Sequence, residues 1–478
     1  MRPIKSPIKF GTDGWRGIIA EDFTFANVRL VARAMAEYLE QTGLGKKGLV
    51  IGYDTRFASA DFARAAAEVI ATGGIKIYLC DKPLPTPVIS YGVLAKKAGG
   101  AIVITASHNA PRWNGFKIKT AEGASAPTEV IEQIEKNIAR LAGSPPLQSK
   151  PLSEALKDGT VEYIDLAPAY FKQMESLVDL PALRRAGLKV VIDSMYGTGA
   201  GYLRTLLEGG NNRLVEINDQ PNPNFPGMER PEPIMPNLAG LSSRVVAETA
   251  SVGLATDGDA DRIGIIDEKG NFLNQLQVYA LLALYLLDVR RQRGPIVKTI
   301  TSTSMLYRLG KLYDVPVIET PVGFKYIAPV MVRENAIIGG EESGGFGFRG
   351  HVPERDAILA ALYFLDFMVK TGKTPSQLLE YLYEKVGHHY YHRLDVEFPE
   401  DERQGMTRRL EESQPTQLDG TTVVKKDTFD GFRFTLADDS WLLIRFSGTE
   451  PLLRIYAEAS SQAAVERLLQ TGKKLVGV

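Results

Sequence analysis

Cysteine is almost missing from this chain: Cys80 is the only one. A disulfide within the chain is therefore excluded, and so is a zinc site built on the thiolates of one chain. Cys80 closes the apolar run Ile75–Cys80 and reads as a buried thiol. Histidine is scarce as well, with five in 478 residues. An excess of charge of either sign is lacking too: 56 Lys and Arg stand against 57 Asp and Glu, a net charge of −1. That balance argues against nucleic acid or an anionic membrane as the main partner, so any anion site is a local cluster of basic groups. Long apolar runs are also absent. The longest, Tyr279–Leu287 and Ala357–Val369, are too short to span a bilayer, and the second holds Asp366. Met1–Phe10 has lysines and prolines but no apolar signal segment, so a cytoplasmic location is expected.

What is present is a repeated alternation. At 478 residues the chain exceeds one hydrophobic core, and three or four domains are expected. Short β-rich runs recur in threes: Leu49–Tyr53, Ile75–Leu79 and Ala101–Thr105; Leu188–Asp193, Arg213–Asn218 and Val252–Thr256; Pro295–Thr299, Val315–Glu319 and Ala336–Gly339. Helix-like periodicity joins them, as in Ala60–Ala71 and Tyr202–Glu208. The pattern predicts one α/β unit present three times, each with a largely parallel sheet. Gly143–Pro151 reads as a linker and Asp267–Asn271 as a hairpin turn. Beyond about His388 the segments Thr421–Val424, Phe432–Leu436 and Trp441–Phe446 predict a small antiparallel sheet closed by a helix over Ala463–Leu475. The expected architecture is three related mixed α/β domains (1–145, 155–270, 271–385) and a smaller α+β domain (386–478) around a central cleft.

The third strand of each copy runs into a loop rich in chemistry, and ligands of open α/β sheets bind beyond the carboxyl ends of strands. The first loop is Thr105-Ala-Ser-His-Asn109. Ser107 fits neither Gly-x-Ser-x-Gly nor a triad with adjacent His108, which leaves helix capping or a phosphate carrier. The second is Asp257-Gly-Asp-Ala-Asp261, whose small spacers let three carboxylates converge. It opens like a calcium hand, but Arg262 stands where that loop requires glycine, so Mg2+ with room for a phosphate oxygen is the expected ion. Arg262 is placed beside that phosphate as a counter-charge. The third is Glu341-Glu-Ser-Gly-Gly345, where Glu341 and Ser343 are candidate readers of sugar hydroxyls.

A fourth loop, Arg445-Phe-Ser-Gly-Thr449, offers a guanidinium, two hydroxyls and turn N–H groups, with Arg454 returning on the next strand. Arg445, Ser447, Gly448, Thr449 and Arg454 form a candidate dianion site. Lys325, in Thr320-Pro-Val-Gly-Phe-Lys325 with Gly323, is placed near the same cleft. Lys117, close to Ser107 in sequence, is a candidate proton carrier. Gly345–Gly350 matches Gly-x-Gly-x-x-Gly by letter, but a dinucleotide turn sits directly between strand and helix and this one does not. Gly197–Gly201 is read as serving close packing.

These residues carry a resemblance to the α-D-phosphohexomutases, over essentially the full chain and in the same order. Phe10-Gly-Thr-Asp-Gly-Trp-Arg-Gly17 resembles the N-terminal signature, Ser107 the phosphoserine, Asp257, Asp259 and Asp261 the magnesium loop, Glu341 and Ser343 the sugar loop, and Arg445 to Thr449 the phosphate loop. The resemblance implies a phosphorylated Ser107 that gives its phosphoryl group to a sugar phosphate, forms a hexose bisphosphate and takes back the other phosphate. The candidate catalytic residues are Ser107, His108 and Arg16, with Lys117 and His351 as what remains where this chain lacks two histidines the family uses for proton transfer. The resemblance also implies Mg2+, glucose 1,6-bisphosphate as activator, small sugar phosphates as partners, and a monomer or homodimer. Ala110 replaces a common proline, and Gly323-Phe-Lys325 replaces the Gly-His of mannose and glucosamine members, a pattern like the phosphoglucomutase branch. The expected activity is a phosphoglucomutase. Alternatives are a glucose 1,6-bisphosphate synthase, a phosphomannomutase and, least favoured, a non-catalytic sugar-phosphate binding protein.

Overall fold

The computed structural model describes residues 8–143, 145, 149–447 and 452–478. Part of the stretch read as an unsuitable signal (1–7) and part of the linker (144 and 146–148) lie outside them. Three sheets repeat one design. Leu49–Tyr53 runs parallel to both Ile77–Cys80 and Ala101–Ile104. Lys189–Asp193 does so between Arg213–Ile217 and Val252–Thr256, and Ile296–Thr299 between Val317–Thr320 and Ile338–Gly340.

In every copy the third strand then turns back into an antiparallel partner: Trp113–Lys119, Ile263–Ile266 and Phe346–Phe348. The sheets are therefore mixed rather than largely parallel, because a connection too short to cross over can only join antiparallel neighbours. The three loops so formed, residues 105–112, 257–262 and 341–345, occupy the same topological position. Phe346–Phe348 being a strand also removes Gly345–Gly350 from any dinucleotide turn.

One boundary differs from expectation. Strand Val161–Ile164 pairs with Ile77–Cys80 and completes the first sheet, so the chain from 155 does not open the second unit there. Near the start, Trp15–Ile18 pairs antiparallel with Trp113–Lys119, which brings Asp13 and Arg16 to the first loop.

The two longest apolar runs become helices Gln275–Leu284 and Ala357–Thr371. The latter is buried from Ala357 through Met368, on all sides, as expected for a helix apolar all round. It packs against Val252–Thr256 and Ile263–Ile266 and so joins the second and third units through one continuous core. Among the described residues no helix is long and apolar enough to cross a membrane. The C-terminal sheet is antiparallel, with Leu452–Ala459 between Tyr390–Glu397 and Trp441–Phe446. It has its own core, including Phe434, Leu442, Ile455 and Leu468. Ile300 of the third unit packs with Trp441, Leu443 and Tyr456 of the fourth.

Candidate active site

Ser107 sits at a turn held from several directions. Its φ of 53° lies in the left-handed region, uncommon for a residue with a Cβ, and such strain persists only where surroundings over-determine it. The Ser107 N–H donates to Thr105 Oγ1 at 2.8 Å. The buried guanidinium of Arg56 donates to the carbonyls of Ser107 (2.5 Å), Asn109 (2.6 Å), Ala110 (2.9 Å) and Trp113 (3.0 Å). Arg56 is itself paired with Asp54 at 3.2 Å, with both side chains buried. The hydroxyl of Ser107 is thereby aimed at the second loop, where it donates to Asp257 Oδ2 at 3.0 Å. His108 Nδ1 lies 3.3 Å from the same Oγ. Burial, and then the nearby Arg262, Arg16, Lys117 and Arg56, hold His108 well below the ordinary histidine pKa, so its ring is neutral.

The loop 257–262 approaches closely because Gly258 has no Cβ. One there would stand 2.8 Å from the Ser107 carbonyl oxygen. Behind it, a Cβ on Gly197 would stand 2.6 Å from the Gly258 oxygen, which is the close packing read from Gly197–Gly201. Asp257, Asp259 and Asp261 are all fully buried, and each offers a carboxylate oxygen within 4.8 Å of the other two. Burial, and then Asp261 and Asp259, push Asp257 well above the usual carboxylate range. Burial also raises Asp259, but Lys117 together with hydrogen bonds from Thr86, Lys117 and Ser107 outweighs this and its pKa falls. Oδ1 of Asp259 and Oδ1 of Asp261 are buried with no hydrogen-bond partner. Orphaned anionic oxygens are costly unless a cation completes them. Three converging hard oxygen donors with spare lone pairs fit a small divalent cation such as Mg2+.

Around the aspartates lies a buried network that joins three units. Lys117 Nζ is 2.8 Å from Asp13, 2.9 Å from Asp259 and 3.3 Å from Asp261. Burial lowers the pKa of Lys117, but these carboxylates outweigh it and raise it above the ordinary lysine value. Lys117 thus stands ion-paired within the aspartate cluster, where the sequence placed it as a candidate proton carrier. Arg355 reaches Asp13 (2.5 Å), Asp261 (2.9 Å) and Glu341 (3.3 Å). Arg262 pairs with Glu232 at 3.0 Å through NH1, while its Nε is buried without a hydrogen bond, 3.9 Å from Asp261 Oδ1. Arg16 donates to the Asn109 side chain within the Ser107 loop.

The other expected residues spread along the cleft. Ser343 Oγ is buried with no partner. Gly323 is the residue before helix Phe324–Arg333, at φ 130°, and Lys325 in its first turn lies 3.5 Å from the Gly11 carbonyl. Arg445 and Arg454 face each other across neighbouring strands. Like charges at that position are unfavourable unless something anionic lies between or beside them. Arg445 Nε donates to Asp430 at 2.9 Å, and Arg454 Nε is buried without a partner. Ser447 is buried at the strand end, and Gly448 and Thr449 lie outside the described residues.

His351 is the clearest correction. Its side chain is enclosed, 3.0 Å from Asp356 Oδ2 and stacked on Tyr91, with Tyr170 edge-on. Those contacts tie the first and third units together and leave its side chain fully buried.

Sequence reasoning passed over Asp54, Arg56, Thr86, Asp13 and Arg355. Thr86 donates to Asp259 at 2.6 Å. Asp54 and Arg56 follow strand Leu49–Tyr53, so the rule that sites lie beyond strand carboxyl ends was signal enough to find them. Asp13 stands inside the N-terminal stretch Phe10–Gly17.

Models of phosphoglucomutase/phosphomannomutase domains match four consecutive stretches: α/β/α domain I over 7–143, domain II over 168–270, domain III over 274–386, and the C-terminal domain over 406–471. The chain is 31% identical to a phosphoglucomutase/phosphomannomutase of Thermococcus kodakarensis, over 98% of each chain. It is 30% identical to a phosphoglucosamine mutase of Carboxydothermus hydrogenoformans, over 96% of this chain and 97% of that one. A crystal structure of a proposed phosphomannomutase from Thermus thermophilus is 37% identical, with a TM-score of 0.86 over 99% of this chain and 100% of that one.

Proposed function

The chain belongs to the phosphoglucomutase/phosphomannomutase family and is a phosphohexomutase, and from that premise we propose that it interconverts glucose 1-phosphate and glucose 6-phosphate through a phosphorylated Ser107. The observation that carries the reading is the 3.0 Å contact of Ser107 Oγ with Asp257, inside a cluster of aspartates that keeps two orphaned oxygens. Bound by Asp257, Asp259 and Asp261, Mg2+ would neutralise charge on the transferring phosphoryl group.

The residues of the chain do the rest. In the first half-reaction the bond from phosphorus to Ser107 Oγ breaks and one forms to O6 of glucose 1-phosphate. The proton that the sugar hydroxyl loses is the one that Oγ gains, so the exchange is balanced. Glucose 1,6-bisphosphate then turns, and its other phosphoryl group passes to Oγ, with the opposite proton movements. Neutral His108, with a proton on Nδ1, can donate a hydrogen bond to Oγ as it leaves. Lys117, Arg16 and Arg262 set a positive field around the transferring group. Glu341 and Ser343 read sugar hydroxyls, the buried unpartnered Ser343 Oγ supporting this. Arg445 and Arg454, with Ser447, Gly448, Thr449 and Lys325, hold the phosphate that is not reacting.

Phosphorus NMR of the purified protein with Mg2+, glucose 1-phosphate and a trace of glucose 1,6-bisphosphate tests this. Conversion of the pool to glucose 6-phosphate is expected. Bisphosphate accumulating in proportion to a phosphoryl donor, with little isomerisation, would make the protein a bisphosphate synthase. Faster turnover of mannose 1-phosphate or glucosamine 1-phosphate would overturn the sugar assignment.

A further inference from the structure

Asp430 stands at the tip of the hairpin between strands Thr421–Asp427 and Phe432–Leu436. Its two oxygens serve two different units. Oδ1 accepts from Arg445 Nε at 2.9 Å, within the fourth unit. Oδ2 accepts from the backbone N–H of Val322 at 2.7 Å, in the third. Val322 belongs to the turn that leads through Gly323 into the helix bearing Lys325. The tip is pinned over the strand of Arg445: Gly431 has φ 106°, and a Cβ there would stand 2.9 Å from the Ile444 oxygen.

Other polar contacts cross the same junction. Arg433 pairs with Glu319 (2.7 Å), Arg393 with Glu342 (3.2 Å), and Ser304 N–H donates to Glu458 (2.9 Å). None of these involves Arg445 or Arg454. The Asp430 contact does, so among the described residues it is where a pull on the arginine is felt across the junction. A guanidinium has two donor edges. With Nε engaged by Asp430, the NH1–NH2 edge is oriented in advance, and orienting a flexible side chain before binding removes an entropic cost.

We propose that Asp430 is a positioning residue: it orients Arg445 for the phosphate that is not reacting and ties that arginine to the turn before Gly323, so that a hexose phosphorylated at both ends stays in the cleft. The inference rests on the phosphohexomutase reading of that cleft given above.

The test uses the full chain with Mg2+, comparing wild type, Asp430→Ala and Asp430→Asn. KM and kcat for glucose 1-phosphate are measured, together with glucose 1,6-bisphosphate released per sugar isomerised. Loss of a charge-assisted contact raises KM roughly ten- to hundred-fold in Asp430→Ala, and less in Asp430→Asn. Bisphosphate appears in bulk solution, while Ser107 still loads fully at saturating bisphosphate. An unchanged KM and release ratio, or a fall in kcat alone, overturns the proposal. Should Asp430→Ala not fold, the nearly isosteric Asp430→Asn decides by the same criteria. If wild type neither isomerises the sugar nor takes phosphate on Ser107, the functional reading fails on its own. Calorimetric titration of wild type and Asp430→Asn with inorganic phosphate then judges Asp430: a weaker Kd in the variant supports it, an equal one overturns it.

Discussion

Ser107 and Asp257 lie 150 residues apart in the chain, yet the serine hydroxyl donates to the aspartate at 3.0 Å. The contact puts the hydroxyl at the edge of the carboxylate cluster, where a phosphoryl group on Oγ would meet a bound cation. Ser107→Ala removes the acceptor and leaves the loop, since Arg56 grips only backbone carbonyls there. Activity should fall by about 10³-fold or more with little change in melting temperature. Mass spectrometry should find phosphate on Ser107 in wild type treated with glucose 1,6-bisphosphate and none in the variant. A variant that keeps full activity sinks the phosphoserine mechanism.

The carboxylate cluster makes its own prediction. Burial raises the Asp257 pKa well above the usual range, so protons compete with a cation there. Mg2+ affinity, read by calorimetry on metal-stripped protein, should therefore weaken as pH falls. Asp259→Asn and Asp261→Asn each remove a ligand charge and should weaken binding roughly ten- to hundred-fold, no less than the loss of an outer-shell partner costs. Equal affinity in wild type and both variants would place the ion elsewhere.

What could be read from the sequence follows from how the site is built. Ser107–His108, Asp257–Asp261 and Glu341–Ser343 are contiguous, and each follows a strand whose apolar run is itself visible, so fold and loops were legible together. Phe432–Leu436 and Trp441–Phe446 have the bounds their alternation predicts. Lys117, Arg262 and Arg16, close in sequence to these loops or in the N-terminal signature, were legible too, but their long-range partners were not. Arg355 meets Asp13 across 342 residues, and Lys117 meets Asp259 across 142. No local pattern marks one arginine among many, and such partners become visible only when separate sheets share a cleft. Strand Val161–Ile164 was missed because its central residues, Glu162 and Tyr163, face outward and break the apolar run.

Arg56 is the most consequential of the residues passed over. Its guanidinium satisfies four carbonyls of the Ser107 turn and the buried Asp54. Arg56→Ala leaves that carboxylate unpaired and should destabilise the fold by about 3–5 kcal/mol. Arg56→Lys keeps the charge but lacks the planar fork, so it should fold and lose kcat more than KM. Wild-type kcat in Arg56→Lys would show that the turn holds without it.

His351, a candidate for proton transfer in the sequence, should prove dispensable for chemistry. It packs on Tyr91 and Tyr170 and contacts Asp356, the cap of helix Ala357–Thr371. His351→Ala should cost about 1–3 kcal/mol of stability through lost packing and one hydrogen bond. Its kcat, measured well below the melting temperature, should stay within a few-fold of wild type by the same reasoning. A large loss of kcat in a stable variant would return His351 to the active site.

Acid should loosen the junction of the third and fourth units at Glu319. This carboxylate lies 3.0 Å from Lys298 and 2.7 Å from Arg433, and Tyr307 donates to it at 3.0 Å. Burial raises its pKa, but Lys298 and Arg433 outweigh that and bring it down to about 2. An unfolded glutamate titrates near roughly 4.3. The folded pKa is the lower one, so the unfolded state binds the extra proton between the two values. The stabilisation from this group is complete above the unfolded pKa and is lost as pH falls from there toward about 2. Glu319→Gln carries no such proton and should be less stable than wild type at pH near neutral. The gap between the two, followed by urea unfolding, should close as the solution is acidified through that window. A gap that stays constant with pH would mean that Glu319 acts there by shape and hydrogen bonding, and that its charge contributes nothing to holding the fourth unit in place.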